Sequence, residues 1–283
     1  MRLDADPRER WAFILGASSG FGAATAVALA RAGHGIVGVH LDLRGTIAAA
    51  DAVRERIAAA GVPVVFHNVN AADAEKRAAV VEATAAIFAE RRAAGADPFI
   101  AVMLHSLAFG TTLPYIVPTG DGREVSQKQL EMTADVMAHS MVYWTRDLLH
   151  AGLLADGSRL FAMTSDGAVR NVPTYGPVSA AKAALESHVR QLSMELIPLG
   201  ITVNAIRAGV TDTPALRRIP GHEELLQVAG ERNPGGRLTR PEDVAEAIVA
   251  LASPRLHWMT GNTIGVDGGE AVGSRQLGVD RDG

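Results

Sequence analysis

The sequence predicts an α/β fold, a doubly wound parallel seven-stranded sheet with helices on both faces, in a single domain over 1–283. Short apolar runs alternate along the chain with longer stretches of helical period. A glycine-rich turn joins the first apolar run to the first helical stretch. A length of 283 residues, 48% hydrophobic and 20% charged, suits one large core and requires no second.

The runs that read as strands are 11–15, 35–40, 63–67, 99–104, 159–163, 201–206 and 262–266. Helical patterns fall at 21–32, 46–60, 73–94, 127–151, 178–197 and 241–252. This alternation implies right-handed crossovers and a parallel sheet, and such sheets bind ligands at the carboxyl ends of their strands.

The first strand, Trp11 to Leu15, runs directly into Gly16, Ala17, Ser18, Ser19, Gly20, Phe21 and Gly22, and then into an alanine-rich helix ending at Arg31. Glycines there permit a tight turn and let a diphosphate approach the helix N-terminus, where free N–H groups and the dipole favour an anion. After the second strand, Ile36 to His40, come Leu41, Asp42, Leu43 and Arg44, where a dinucleotide fold reads the adenosine ribose. A carboxylate there can accept from both ribose hydroxyls, whereas an arginine can pair with a 2′-phosphate. A solvated loop pair is the plainer reading of either residue alone. The third strand leads to Asn68 and Val69, and an asparagine can present its carbonyl to the adenine amine. The fourth ends in His105, Ser106, Leu107, Ala108, Phe109 and Gly110, where Ser106 taken alone could simply cap backbone groups.

Thr111 to Ser126 is rich in Pro, Gly and Thr and reads as a loop bordering a pocket. In the following helix, Met132, Val136, Met137, Ser140, Met141, Tyr143, Trp144 and Leu148 read as core and subunit-contact surface. Between Ser165 and Lys182 a hydroxyl, a phenol and an ammonium come close together. Lys182 opens a run (Ala183, Ala184, Leu185, His188, Val189, Leu192) with helical period. Tyr175, seven residues earlier, shares the lysine's face if the helix reaches it, and Pro177 favours a start that leaves it just outside. A phenol is a poor acid or base at neutral pH until a cation stabilises its phenolate, which Lys182 could do.

Composition narrows the function. A net charge of −4 argues against a nucleic-acid binder, and the lack of cysteine excludes disulfides and thiolate chemistry. Met1 to Arg10 carries Asp4, Asp6, Arg8, Glu9 and Arg10 and lacks the apolar core of a signal peptide, and there is no uncharged apolar run of membrane-spanning length. A cytoplasmic protein is expected. The nine histidines show no metal spacing, so no metal ligand is assigned.

With the glycine turn and the Ser165, Tyr175, Lys182 set on one chain, the sequence from about Trp11 to Gly269 resembles the short-chain dehydrogenase/reductase superfamily. Within it the sequence is most similar to the enoyl-[acyl-carrier-protein] reductases. Ordinary ketone-reducing members keep their tyrosine four residues before the lysine, where this chain has Val178. Its Tyr-x6-Lys spacing is that of the enoyl reductases, as is the run after the fourth strand, and the superfamily's relay asparagine is absent. The shift suits a conjugated thioester, whose negative charge develops two carbons beyond the carbon receiving hydride. Three residues of helix rise are about 4.5 Å.

The resemblance implies Tyr175, Lys182 and Ser165 as catalytic residues. It implies cofactor contacts from Gly16, Ser18, Ser19, Gly20, Phe21, Gly22, Asn68, Val69, Ser106, Leu107, Ala108, Lys182, Gly209, Val210, Thr211 and Thr213. The position usually acidic in NAD-preferring members falls on His40, with Asp42 two further on. Arg44 tips the expectation toward NADPH, with NADH left open. Pro214 to Arg240 is expected as a substrate lid. Its Arg217, Arg218, Arg232, Arg237 and Arg240 outnumber Glu223, Glu224 and Glu231, an excess that either meets phosphopantetheine or an acidic carrier or forms a solvated face. The closing Val266-Asp267-Gly268-Gly269 implies a last strand packed on a two-fold axis, hence a homotetramer, and the polar tail 271–283 is expected to be loose.

The expected function is NAD(P)H-dependent reduction of an enoyl thioester on acyl-carrier protein or CoA. A carbonyl reductase or alcohol dehydrogenase of the same fold, and a catalytically silent nucleotide-binding scaffold, are the alternatives.

Overall fold

Successive residues of the first apolar run face different helical layers. Trp11, Phe13 and Leu15 of β1 (Glu9–Leu15) join one buried cluster, and Ala12 and Ile14 join the other. A strand covered on both faces has to be apolar throughout, and β2 (Gly35–His40) and β4 (Pro98–His105) are likewise buried along their whole length.

The computed structural model describes residues 7–120, 122–219 and 221–274. Among these, β3 (Val64–Asn68), β5 (Arg159–Ser165), β6 (Thr202–Ala208) and β7 (Thr263–Val266) complete a parallel sheet of order β3-β2-β1-β4-β5-β6-β7. Helices α1 (Gly20–Arg31), α2 (Ile47–Ala58) and α8 (Pro241–Leu251) cover one face. Helices α3 (Ala74–Ala93), α5 (Ser140–His150) and α6 (Gly176–Leu196) cover the other. There Trp144 packs its ring 5.3 Å from Phe13 and donates its indole N–H to the Ala71 carbonyl. Removing that side chain would cost about 3–5 kcal/mol. The strand order reverses direction at β1, so the crevice beyond the ends of β1 and β4 is the topological switch point.

All seven expected strands are present, with ends within two residues of those read from the sequence. Two helical expectations differ. The helix expected over 127–151 is α4 (Gln127–Ala134), a π turn (Asp135–His139) and then α5. Just after the π turn the Ser140 hydroxyl donates back to the Val136 carbonyl at 2.7 Å and so competes with the helical ladder. The segment expected as a lid holds a further helix, α7 (His222–Arg232), started by Gly221 in the left-handed conformation at φ 76°. Of the segments at the ends, 1–6 and 275–283 lie outside the described residues, and with them most of the tail expected to be loose. No helix among the described residues is long and apolar enough to cross a membrane.

Candidate active site

The turn after β1 is shaped by what it excludes. Gly16, at φ 88°, presses on the Ser106 backbone, where a Cβ would meet the carbonyl oxygen at 2.5 Å. A Cβ on Gly22 would lie 2.0 Å from the Gly16 carbonyl, so α1 can start this close to the sheet only with glycine there. Ser19 is the N-cap of α1 in extended conformation, and its side chain makes no capping bond. The first N–H groups of α1 therefore face the crevice without a side-chain partner, as an anion would need. Across the crevice, Thr213 Cγ2 lies 3.5 Å from where a Gly20 Cβ would be.

The corner beyond β2 is organised around Asp42. Its backbone N–H donates to Asn68 Oδ1 and its carbonyl accepts from Asn68 Nδ2, both at 2.9 Å. His40 Nδ1 lies 2.8 Å from its carboxylate, and the hydroxyls of Thr46 and Ser18 lie near it. Burial pushes the carboxyl up, but these polar neighbours prevail and hold it below the usual carboxylate range. His40 itself is buried, with its ring 5.4 Å from Phe66 and its Nδ1 on the Asp42 carboxylate. The Asn68 amide, expected to read adenine, makes one bond at each end with the Asp42 backbone, which leaves its oxygen a second acceptor site. Arg44 is exposed and makes no ion pair among the described residues.

The remaining groups come from the end of β5 and the start of α6. Helix α6 begins at Gly176 with Pro177 in its first turn, leaving Tyr175 as the N-cap. Lys182 is buried and donates to the Met163 carbonyl at 2.7 Å. Burial pulls its pKa down to about 8, opposed by the charge of Glu186. The Tyr175 phenol lies near the Ser165 hydroxyl, and its pKa is raised by burial, with that hydroxyl acting the other way. The Lys182 ammonium is turned to Met163, and the phenol's shift is upward, from burial. Since Ser165 Oγ already accepts the Gly167 N–H at 3.2 Å, its proton is available to the Tyr175 oxygen, and the phenol's own proton to a ligand.

Over residues 16–270 the chain matches the family described as Enoyl-(Acyl carrier protein) reductase. The chain belongs to that family of short-chain dehydrogenase/reductases. It is 32% identical, over 92% of its length and 96% of the relative's, to cis-4-hydroxycyclohexanecarboxylate dehydrogenase of Sinomonas cyclohexanicum. It is 35% identical to 1-cyclohexenylcarbonyl-CoA reductase of Streptomyces collinus, over 42% of its own length and 44% of that protein's. The fold matches the enoyl-[acyl-carrier-protein] reductase (NADH) of Aquifex aeolicus with a TM-score of 0.78, at 24% identity over 94% and 98% of the two chains.

In this short-chain dehydrogenase/reductase the residues expected to hold a nicotinamide dinucleotide fit that group in part. The glycine turn and the open end of α1 suit its diphosphate, and Ser106, Leu107 and Ala108 border the same turn from the end of β4. Val210 does not fit as expected, because its N–H is taken by Glu270 Oε2 at 3.0 Å. Thr211 donates to the Gly209 carbonyl, and Thr213 accepts from Leu216. Two of the lid arginines are also committed, Arg217 to Asp212 and Arg237 to Asp243.

Three further residues near the site make contacts that the sequence does not announce. Glu270, just past the Asp267-Gly268-Gly269 turn, also receives Asn233 from the end of α7. His105, fully buried, bonds Ser140 through Nε2 at 2.8 Å. Tyr115 lays its ring on Gly176, beside the phenol of Tyr175. The first could have been found by extending the closing motif by one residue. The others depend on contacts that cross the chain.

Proposed function

We propose that this chain reduces the carbon–carbon double bond of a 2-enoyl thioester, carried on CoA or acyl-carrier protein, with a reduced nicotinamide dinucleotide. The observation that carries this is the displaced phenol. At the position four before Lys182, Val178 is buried against Met137 and Ala181, so an apolar wall stands where a ketone reductase needs its donor. Tyr175 lies one turn nearer the helix start, about 4.5 Å along the axis.

When bound, the reduced nicotinamide supplies the hydride. Lys182 would hold the cofactor's ribose. Tyr175, protonated at neutral pH, donates to the thioester oxygen and stabilises the charge that develops there in the transition state. Ser165 keeps the phenol oriented by donating to its oxygen. We take NADH as the preferred cofactor, against the expectation from Arg44, because a 2′-phosphate would meet the ionised Asp42. Residues 214–240 form the proposed substrate lid. A homotetramer, tested by light scattering on the eluted protein, and a cytoplasmic location, tested by cell fractionation, belong to the same reading.

A second reading, oxidoreduction at a carbinol or ketone carbon, is favoured by the near full-length similarity to the Sinomonas dehydrogenase. Anaerobic assays with crotonyl-CoA, crotonyl-acyl-carrier protein and acetoacetyl-CoA, each with NADH and NADPH, separate the two. Cofactor oxidation with the crotonyl substrates is expected. Oxidation with acetoacetyl-CoA alone would replace the first reading by the second, and tight cofactor binding without turnover on any of them would leave a silent scaffold.

A further inference from the structure

Three consecutive residues at the end of β5 each hold a different part of α6. The Met163 carbonyl takes the Lys182 ammonium, and the Ser165 hydroxyl stands by the Tyr175 phenol. Between them, Thr164 donates to Glu186 Oε1 at 2.8 Å. The outer two contacts belong to the chemistry already described, and the middle one has no part in it. Yet Thr164 is buried and Glu186 half-buried, so this carboxylate is not a freely solvated surface charge. A charge withdrawn from water is costly unless hydrogen-bonded and paired. Glu186 stands four residues beyond Lys182, one turn along the same face of the helix.

We propose that Glu186, aimed by Thr164, is a positioning residue for Lys182, its carboxylate being the counter-charge that keeps the buried ammonium protonated and seated on the Met163 carbonyl. The inference rests on the proposed function only in assigning Lys182 to the cofactor's ribose.

The surroundings of Lys182 leave this task to Glu186. From β4 it faces His105, which burial and then the lysine's own charge hold neutral, with a pKa of about 3. Asp166, just past β5, is paired with Arg170. Arg207 of β6, paired in register with Thr164, lies with its guanidinium against Gly265. On α6 itself, Tyr175 is a neutral phenol, and His188 is bonded to His139. Glu186 alone opposes the burial that brings the lysine down to about 8, close enough to neutrality that losing it matters.

Glu186→Gln keeps the size of the side chain and an acceptor for Thr164 but removes the charge. NADH affinity, read by fluorescence titration over about pH 6 to 10, should fall on the alkaline side as Lys182 loses its proton. In Glu186→Gln that limb should move down by about one pH unit, and in Thr164→Val it should move the same way by less. An unshifted limb in a folded Glu186→Gln protein, an equal loss of affinity at every pH, or a flat profile in the unmodified protein overturns the proposal. Should the glutamine variant not fold, Thr164→Val decides by the same criterion. The titration needs no acyl substrate, so failure to turn over any enoyl thioester would sink the proposed function and leave this result intact.

Discussion

The phenol ring of Tyr175 rests on Gly167, where a Cβ would come within 2.5 Å of the ring's Cε1. That glycine also gives its N–H to Ser165 and takes the Ser179 hydroxyl on its carbonyl, so it ties together the serine, the phenol and the first turns of α6. Gly167→Ala has no backbone penalty, since its φ is not positive, and acts by displacing the ring and pressing on Ser165 Oγ, 3.1 Å from the new methyl. A displacement of this size is expected to lower kcat by about 100-fold while leaving NADH affinity nearly unchanged. Steady-state kinetics with a fluorescence titration measure both. An unaltered kcat would mean that the ring does not work from this seat.

Removing the donor itself separates two roles. Tyr175→Phe is expected to lower kcat by about 100- to 1,000-fold with cofactor affinity retained, because its hydrogen bond strengthens only as charge develops on the substrate. Lys182→Ala should damage both quantities, since the lysine is assigned to the cofactor as well. Similar, mild effects of the two variants on kcat and on affinity would contradict this division.

Thr174, immediately before the phenol, has φ 64°, among the described residues the only non-glycine residue with a positive φ. A β-branched residue in the left-handed region costs about 1–3 kcal/mol. Asparagine tolerates that region without the entropy cost of glycine. Thr174→Asn is therefore expected to raise the unfolding free energy by about 1 kcal/mol in a urea titration. A lower stability would show that the threonine side chain makes contacts worth more than the strain.

The alternation of apolar runs and helical stretches made the sheet and its order of elements legible, because a doubly covered strand such as β2 has no polar position to obscure it. Ser165, Tyr175 and Lys182 were legible from their spacing, since one strand end and one helix start hold all three. The π turn was not, because it leaves the 3.6-residue apolar period of the segment nearly unchanged. Nor was the use of Asn68 on the Asp42 backbone, or of Glu270 on Val210, because each joins segments far apart in the chain and neither leaves a local pattern. Which of Asp42 and Arg44 is anchored is likewise visible only in the fold, where His40 and the Asn68 amide hold Asp42.

That anchoring predicts cofactor choice. Replacing Asp42 with serine removes the charge that a 2′-phosphate would meet and leaves Arg44 free to receive it. The ratio of NADPH to NADH affinity is expected to rise at least tenfold, about 1.4 kcal/mol. Asn68→Ala, which unties the Asp42 backbone without touching its charge, should weaken NADH binding and change the ratio less. Equal effects on both cofactors in Asp42→Ser would remove Asp42 from ribose recognition.

Two buried histidines set how the fold meets acid. Burial, with the nearby charge of Arg10, pulls His34 down to about 4 despite its contact with the Leu29 carbonyl, and burial and Lys182 pull His105 to about 3. Both ordinarily titrate near 6.5. Below that pH the unfolded chain takes up protons that the folded chain refuses, so stability is full above about 6.5 and falls as pH drops toward 4. The melting temperature should decline across that window. His34 follows α1 at the entry to β2, at the opposite end of that strand from the crevice, so His34→Gln should flatten part of the decline without altering the pH dependence of cofactor binding. If the melting curve of His34→Gln declines as steeply as that of the unmodified protein, His34 is not held neutral in the fold, and the acid sensitivity must come from His105 or from the carboxylates.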